Sequence, residues 1–217
     1  MHIPAELILG GMGGGKTSEL IKKLRQQQVR RRDIQAFKPV LDSRYASNEL
    51  VTRDGLKFPA ESIIHSYEIM DKIKSTTEVI GIDEVTFLDD QIIGIINELE
   101  QQGRTVIISG LIYDFRGQFF PLRKEGNVET DSYLTMLDLM NTTHNWNLRP
   151  SMCMHEINGG ICGINTFFVQ RYFADGITIA PKNEQTIMIG KEHILKGEDH
   201  LKRVYIPKCK EHFVQYD

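Results

Sequence analysis

The segment GGMGGGKT, from Gly10 to Thr17, restricts the fold more than any other part of this sequence. It fits the pattern G-x-x-x-x-G-K-[ST] and lies between an apolar run, Ala5 to Leu9, and a segment with helical spacing. The backbone N–H groups of such a loop and the N-terminus of the following helix direct positive charge at one place, where nucleotide phosphates bind. Lys16 adds a full charge for the β and γ phosphates, and Thr17 offers a hydroxyl to Mg²⁺. A flexible glycine turn with a solvated lysine is the alternative. The motif therefore predicts ATP or GTP binding, with contacts from Gly10, Gly11, Met12, Gly13, Gly14, Gly15, Lys16 and Thr17.

Apolar runs of strand length alternate with amphipathic segments over the first part of the chain. The predicted strands are Ala5 to Leu9, Ile34 to Phe37, Val79 to Ile82, Thr105 to Ser109 and Trp146 to Met152, and the predicted helices are Thr17 to Val29, Asp89 to Gln102 and Ser132 to Asn141. This alternation predicts an α/β fold of the P-loop NTPase type, with a mainly parallel sheet flanked by helices. From about Ser151, cysteines, histidines and short β-rich runs replace the helices, so the predicted domains are 1–150 and 151–217.

Composition excludes several classes of protein. The chain has 26 Lys and Arg against 29 Asp and Glu, a net charge of -3, which argues against a nucleic-acid partner or an anionic membrane partner. No apolar run approaches the roughly 20 residues that a bilayer crossing needs. The N-terminus lacks the basic region and cleavage site of a secretory signal, so we expect a cytoplasmic protein.

An acidic pair follows the predicted strand Val79 to Ile82. Parallel strands deliver their C-terminal residues to one edge of the sheet, so Asp83 is expected to reach the Mg²⁺ beside the phosphate loop. Glu84 then points at the reacting end, where a carboxylate can serve as a general base for water or for a substrate hydroxyl. The alternative is two acids in a solvated turn that help to cap a helix.

Five segments together resemble the type II thymidine kinases, a family of P-loop enzymes with a zinc-bearing lasso domain. They are GGMGGGKTSEL (10–20), FKPVLDSRY (37–45), IDEVTF (82–87), SGLIYDFRGQFF (109–120) and YIPKC (205–209). The fourth is the most specific, because a generic P-loop protein has no need of it. The resemblance covers most of the chain.

The resemblance implies roles for individual residues. Glu84 falls where the family has the general base for the nucleoside 5'-hydroxyl, and Asp83 where it has the Mg²⁺-linked acid. Arg44 falls in a segment near the phosphates, where a guanidinium stabilises transferring charge; a surface ion pair with Asp42 is the alternative. Residues that line or support the nucleoside pocket are expected at Met12, Phe87, Leu111, Phe115, Phe120 and, in the lid, Tyr205. Packing in the core is the alternative for these side chains.

The sequence also departs from the family pattern. Thr86 stands where a glutamine is expected, and Ile112 where an aspartate is expected. Arg53 replaces a histidine and Lys191 a glycine, and Gly11, Gly13 and Gly14 make the phosphate loop more flexible than usual. The loss of two polar side chains near the nucleoside leaves the exact nucleoside specificity open, while phosphoryl transfer is unaffected.

The three cysteines, an odd number for a disulfide framework, indicate a metal site. Cys209 and His212 have the C-x-x-H spacing of a zinc knuckle. Cys162 and Gly163 resemble the second half of the family's other knuckle, C-x-x-C-G, which implies that Cys153 begins this knuckle and that 154–161 is an insert. The predicted structural zinc site is therefore Cys153, Cys162, Cys209 and His212, with His155 as a possible substitute ligand. Buried free cysteines and a nucleic-acid zinc ribbon are the alternatives. Between the knuckles, Ile187 to Tyr205 resembles the family's substrate-covering lasso, with an insert at 193–204.

Three functions fit these features. The first is a deoxynucleoside kinase that transfers the γ-phosphoryl group of ATP to thymidine or a related pyrimidine deoxynucleoside. The second is a P-loop ATPase whose zinc domain grips a partner, and the third is a nucleotide-binding interaction protein without catalysis. The first is favoured, because an ATPase has no use for SGLIYDFRGQFF or a lid beside a zinc site. The family resemblance also implies a homo-oligomer, namely a tetramer.

Overall fold

A computed structural model of the chain describes residues 4–40, 48–143, 145–184 and 203–216. The strands in these ranges are β1 (Glu6–Gly10), β2 (Ile34–Pro39), β3 (Glu49–Val51), β4 (Lys57–Pro59), β5 (Glu61–Ile63), β6 (Val79–Ile82), β7 (Thr105–Leu111), β8 (Pro121–Lys124), β9 (Asn127–Thr135), β10 (Trp146–Arg149), β11 (Ser151–Met152), β12 (Glu156–Ile157), β13 (Gly160–Ile161), β14 (Asn165–Thr166), β15 (Val169–Phe173) and β16 (Arg203–Pro207). The helices there are α1 (Lys16–Val29), α2 (Glu68–Lys72), α3 (Ile92–Gln101) and α4 (Met136–Thr143), with a 3-10 turn at Val85–Phe87.

Within the described ranges, six strands form one sheet in the order β10-β1-β7-β6-β2-β5. All of their pairings are parallel. The α/β fold with a mainly parallel sheet is thus confirmed. Because β7 lies between β1 and β6, the C-terminal ends of these three strands are neighbours, and the residues that follow them share one edge of the sheet.

Each face of the sheet supports its own core. Alternate residues of a strand point to opposite faces, so Leu7 and Leu9 of β1 pack with α3 and α4, while Ile8 packs with α1. Leu20 and Leu24 supply the buried stripe of α1. Helices on both faces bury the central strands β1, β7, β6 and β2 almost completely, which explains their largely apolar sequences, whereas the edge strand β10 is partly exposed. None of the helices in the described part of the chain is long and apolar enough to cross a membrane.

The predicted helix from Ser132 to Asn141 is wrong at its start. Residues 127–135 form strand β9, which pairs antiparallel with β8, and α4 begins only at Met136. Asp138 accepts hydrogen bonds from the backbone N–H and the hydroxyl of Thr135 and so fixes the start of the helix. The predicted strand at 146–152 is divided into β10 and β11 at Pro150, which has no N–H to donate to a ladder.

From Ser151 onward the described strands form short antiparallel pairs outside the main sheet. They are β11 with β14, β12 with β13, and β15 with β16. Short pairs of this kind have little core of their own. Contacts of the buried Arg171 and the cluster of three cysteines and a histidine connect these pairs.

Candidate active site and metal centre

The phosphate loop connects β1 to α1. Gly13 and Gly15 have positive φ angles of 82° and 73°, a conformation that glycine adopts at low cost. Lys16, the first residue of α1, is only 6% exposed, and its ammonium group donates a hydrogen bond to the carbonyl oxygen of Gly11 over 3.1 Å. The lysine is therefore folded over the loop, and its charge is held at the N-terminus of the helix.

The loop also packs closely against the chain that follows β10. A Cβ atom on Gly10 or Gly14 would lie 2.2 Å from the carbonyl oxygen of Arg149, and one on Gly11 would lie 2.1 Å from the hydroxyl of Ser151. Such separations are far below van der Waals contact. The glycines that depart from the family pattern at 11 and 14 are thus explained by packing, a reason that the sequence did not reveal.

The acidic pair lies beside this loop, as the strand order requires. The hydroxyl of Thr17 donates a hydrogen bond to Oδ1 of Asp83 over 3.3 Å. Ser109, in β7, donates its hydroxyl to the same carboxylate and accepts a hydrogen bond from the backbone N–H of Glu84 over 3.3 Å. The sequence indicates Ser109 only as part of a motif, whereas in the structure it contacts both acids and so holds them in place.

Glu84 has a strained backbone. Its φ and ψ angles are both 48°, in the left-handed region that non-glycine residues rarely occupy. The residue is only 8% exposed, and it lines a cavity of about 330 Å³ together with Met12, Lys16 and Thr17. Strain of this kind persists only where the surroundings enforce it, and it is concentrated at functional sites. The turn therefore directs the carboxylate into the cavity that contains the phosphate loop.

Two oxygen ligands beside the phosphate loop fit a hard cation. Thr17 and Asp83 supply a hydroxyl and a carboxylate oxygen that already lie within hydrogen-bond distance of each other. Mg²⁺ in nucleotide sites is held by one or two such protein oxygens together with phosphate oxygens and water. The residues that the motif predicts for Mg²⁺ are therefore in suitable positions.

An apolar cluster adjoins the cavity. Leu111 and Phe120 are buried in the core on this side of the sheet, and Met12 and Phe87 pack against it. The rings of Phe87 and Phe120 meet edge to face, with centroids 6.2 Å apart. Four of the predicted pocket residues are thus brought together. Ile112 is buried in the same core, and the fully buried Thr86 hydroxyl has no hydrogen-bond partner within the described residues.

The motif from Ser109 to Phe120 ends in a compact turn organised by Asp114. The Asp114 carboxylate accepts hydrogen bonds from the backbone N–H groups of Arg116 and Gln118 over 2.8 and 3.1 Å. The Arg116 guanidinium approaches the same carboxylate to 2.7 Å. These bonds explain the D-F-R-G string, because the aspartate closes the turn that leads from β7 to Phe120.

Phe115 and Tyr205 contact a different group, the buried Arg171. The Arg171 guanidinium lies 3.6 Å from the centroid of the Phe115 ring and 5.2 Å from that of Tyr205. Glu184 pairs with Arg171 over 3.4 Å and also with Arg203. Burial raises the pKa of Tyr205, although the Arg171 charge opposes the shift. The structure thus links these two predicted pocket residues through an arginine that the sequence analysis missed.

Four potential metal ligands meet near the C-terminal end of β16. Cys153, Cys162, Cys209 and His212 each place one ligand atom within 4.8 Å of the others. The Cys162 and Cys209 sulfurs are 3.9 Å apart, and Nδ1 of His212 lies 3.6 Å from the Cys153 sulfur and 3.2 Å from the Cys209 sulfur. Tetrahedral zinc with ordinary bond lengths requires about 3.8 Å between sulfurs and about 3.6 Å between sulfur and nitrogen. The cluster therefore fits zinc.

Electrostatics at the cluster favours a thiolate. Burial of Cys153 opposes ionisation, but hydrogen bonds from the Cys209 and His155 backbones and from the His212 ring outweigh it and lower the pKa of Cys153 to about 6. His155 lies outside the ligand set. Its ring stacks on that of His212 with centroids 3.9 Å apart. Burial and the charges of His212 and Lys208 lower its pKa.

The insert at 154–161 forms a hairpin. Its strands β12 and β13 are joined by Asn158 and Gly159, whose φ angles of 49° and 82° are those of a type I' turn. At its base, the Cys162 N–H donates to the His155 carbonyl oxygen over 2.8 Å, and the Gly163 N–H donates to that of Cys153 over 3.1 Å. The hairpin thus returns the chain to its starting point, and both cysteines reach one metal site.

Two sequence comparisons with known proteins identify the family of this chain. The model of the family described as thymidine kinase matches residues 3–125. A thymidine kinase from Thermococcus kodakarensis (strain ATCC BAA-918 / JCM 12380 / KOD1) is 35% identical over 219 residues, which cover 98% of this chain and 94% of that protein. The chain belongs to the thymidine kinase family. It is therefore a kinase, and the family resemblance drawn from the five segments is confirmed.

Two of the features predicted for this kinase lie outside the described residues. Arg44 falls in 41–47, and most of the lasso, including Lys191 and most of the insert at 193–204, falls in 185–202. Tyr205 at the end of the lasso is described, in β16. The roles of these residues remain predictions.

Proposed function

We propose that this kinase transfers the γ-phosphoryl group of ATP to the 5'-hydroxyl of thymidine or a related pyrimidine deoxynucleoside. One observation carries the proposal: the Glu84 carboxylate and the phosphate loop line the same cavity, beside the apolar cluster of Met12 and Phe87. A base at the phosphate end and an apolar slot next to it suit a nucleoside whose hydroxyl approaches the γ-phosphate.

The chemistry assigned to each residue follows from its place. Lys16 binds the β and γ phosphates, and Thr17 and Asp83 hold the Mg²⁺, which neutralises phosphate charge when bound. Glu84 accepts the proton of the 5'-hydroxyl group while the oxygen of that hydroxyl forms the new bond to the γ-phosphorus. The bond between the γ-phosphorus and its bridging oxygen breaks, and ADP leaves with that oxygen. Ser109 positions the base through its contact with the Glu84 backbone.

The decisive experiment follows ATP turnover with and without each deoxynucleoside. We expect turnover that depends on a pyrimidine deoxynucleoside and yields its 5'-monophosphate. Turnover in the absence of any nucleoside would instead identify an ATPase, and nucleotide binding without turnover an interaction protein. A panel of pyrimidines also tests specificity, because buried Thr86 and Ile112 offer no exposed polar group for reading the base.

Substitution of the two acids separates their roles. Glu84→Gln keeps the size of the side chain but removes the base, so kcat should fall by roughly 100- to 10,000-fold while ATP binding persists. Asp83→Asn should instead raise the Mg²⁺ concentration needed for half-maximal activity. The base assignment is wrong if Glu84→Gln retains activity within a few-fold of the parent.

Further parts of the proposal concern the whole molecule. The Cys153, Cys162, Cys209 and His212 cluster holds a structural zinc, since four protein ligands leave no open position. The chain divides into a nucleotide-binding domain, 1–150, and a zinc and lasso domain, 151–217, which covers the nucleoside. A cytoplasmic homotetramer is the expected working form, with no nucleic acid or membrane as partner; size-exclusion chromatography with light scattering tests the tetramer.

A further inference from the structure

Strands β3 and β4 pair antiparallel as a hairpin. This hairpin forms part of the wall of the cavity of about 330 Å³ at the phosphate loop, the phosphate cavity. Val51, Thr52, Arg53 and Asp54 of this hairpin line the cavity together with the glycines of the phosphate loop. The function described above makes no use of them. In this family an arginine at position 53 is a departure, since the resemblance leads one to expect a histidine there.

The hairpin is held firmly against α1. Leu50 and Phe58, one on each strand, are buried in the core that Leu20 and Leu24 of α1 also form. The Arg25 guanidinium, on α1, donates a hydrogen bond to the Lys57 carbonyl oxygen over 3.0 Å. The tip of the hairpin therefore has a fixed position relative to the phosphate loop, which begins the same helix.

The turn at the tip is also fixed. The Thr52 N–H donates to the Leu56 carbonyl oxygen over 2.9 Å, and the Leu56 N–H donates to the Thr52 hydroxyl over 2.8 Å. Gly55 has a φ angle of 86°, and its N–H donates to the Thr52 carbonyl oxygen over 3.1 Å. These bonds leave the Arg53 side chain outside the turn, where it extends toward the loop.

The Arg53 guanidinium reaches the glycine loop itself. Its Nη1 atom lies 3.9 Å from the position that a Cβ atom on Gly13 would occupy. Arg53 is exposed, and within the described residues it makes no ion pair or side-chain hydrogen bond. A guanidinium that lies beside a phosphate-binding loop and is not engaged elsewhere is available for an anionic ligand.

Charged side chains from different elements of the fold line the cavity. Lys16 presents its charge from the helix, and Arg53 presents a second one from the hairpin, while Glu84 and Asp54 supply carboxylates. A polyphosphate that accepts hydrogen bonds from the loop amides is thus also within reach of the Arg53 guanidinium, a planar group with five N–H donors. We propose that Arg53 binds the terminal phosphate of ATP from the hairpin side, opposite Lys16, and so favours ATP over ADP.

The proposal rests on the assignment of the loop as the ATP site. The test measures binding of ADP and of a non-hydrolysable ATP analogue, both with Mg²⁺, to the full chain by calorimetry. Arg53→Ala should weaken binding of the ATP analogue about tenfold, which corresponds to about 1.4 kcal/mol, and should change the affinity for ADP by less than about twofold. The affinity of Arg53→Lys for the analogue should lie between those of the parent and of Arg53→Ala, because an ammonium group keeps the charge but not the planar, bidentate geometry of the guanidinium.

Arg30→Ala is the matched control, because Arg30 is exposed at the far end of α1 and carries the same charge. It should leave both affinities unchanged, which excludes a general effect of net charge. Equal losses for ADP and the analogue in Arg53→Ala, or no loss for either, would overturn the proposal. A thermal melt equal to that of the parent confirms that the variant is folded.

The two assignments fail in different ways. If the parent phosphorylates no nucleoside but Arg53→Ala selectively loses the analogue, the Arg53 assignment stands and the kinase proposal fails. If the parent is an active kinase and Arg53→Ala binds both nucleotides as the parent does, the reverse holds.

Discussion

Replacement of Glu84 by glycine should make the protein more stable and inactive at once. The left-handed backbone at Glu84, with φ and ψ of 48°, costs an L-residue about 1 to 2 kcal/mol. Glycine removes this strain but has more conformational freedom in the unfolded chain, which offsets about 0.5 to 1 kcal/mol. The side chain lost is a buried carboxylate, and the cost of its desolvation offsets the interactions that it makes in the folded chain. The expected net gain is about 1 kcal/mol, or about 2 to 4 °C in Tm for a chain of this size.

The chain offers a matched control for the strain. Arg31 has a φ angle of 58° just after α1, and it is exposed and remote in the fold from the phosphate cavity. Arg31→Gly should therefore raise stability by a similar amount and leave kinase activity unchanged. Urea unfolding gives both free energies, and a coupled assay for ADP release gives both activities. If Glu84→Gly is less stable than the parent while Arg31→Gly is more stable, the left-handed backbone at Glu84 does not lower the stability of the protein, and the reasoning is refuted.

Three further predictions test other parts of the molecule. Lys16→Ala should abolish nucleoside phosphorylation in the coupled assay, because the β and γ phosphates lose the cation at the loop; near-normal turnover would refute the phosphate-loop assignment. Metal analysis should find about one zinc per chain, and chelation should expose the region around Cys209 to proteolysis while the parallel sheet stays folded; a folded, active, zinc-free protein would contradict this. Burial opposes ionisation of Glu184, but the charges of Arg203 and Arg171 outweigh this effect and lower the pKa of Glu184. The ionised carboxylate therefore stabilises the fold at neutral pH, and this contribution is lost as the pH falls through the folded-state pKa. Glu184→Gln should thus cost about 2 kcal/mol in urea unfolding at pH 7 and progressively less at acid pH; a pH-independent difference would show that charge is not responsible.

The parts of the fold that the sequence predicted are those with strong local signals. Strands β1, β6 and β7 are short apolar runs buried on both faces, and α1 carries a clear apolar stripe. Strand β9 was missed because its sequence, NVETDSYLT, has no apolar run. Its pairing with β8 is reinforced by the ion pair between Arg123 and Asp131, which is not visible in the local pattern.

The candidate site follows the same division. The cluster of Cys153, Cys162, Cys209 and His212 could be predicted from ligand chemistry, because thiolates and imidazoles at knuckle spacing are typical of structural zinc sites. Ser109 could not be given its role, because that role depends on β7 lying between β1 and β6, and strand order is set by packing across the whole sheet. Arg171 was missed for a related reason: its partners, Phe115, Tyr205 and Glu184, are far from it in sequence and meet only in the folded chain.

The hairpin of β12 and β13 has a consequence for how this protein can change in length. Its two strands run antiparallel and leave the metal site side by side, so added residue pairs would extend the tip and not move Cys153 or Cys162. Asn158 and Gly159 at the tip are exposed, and exposed hairpin tips tolerate insertion well. The tip is therefore a natural place to attach a peptide tag or a small domain without disturbing either the cysteine and histidine cluster or the phosphate loop.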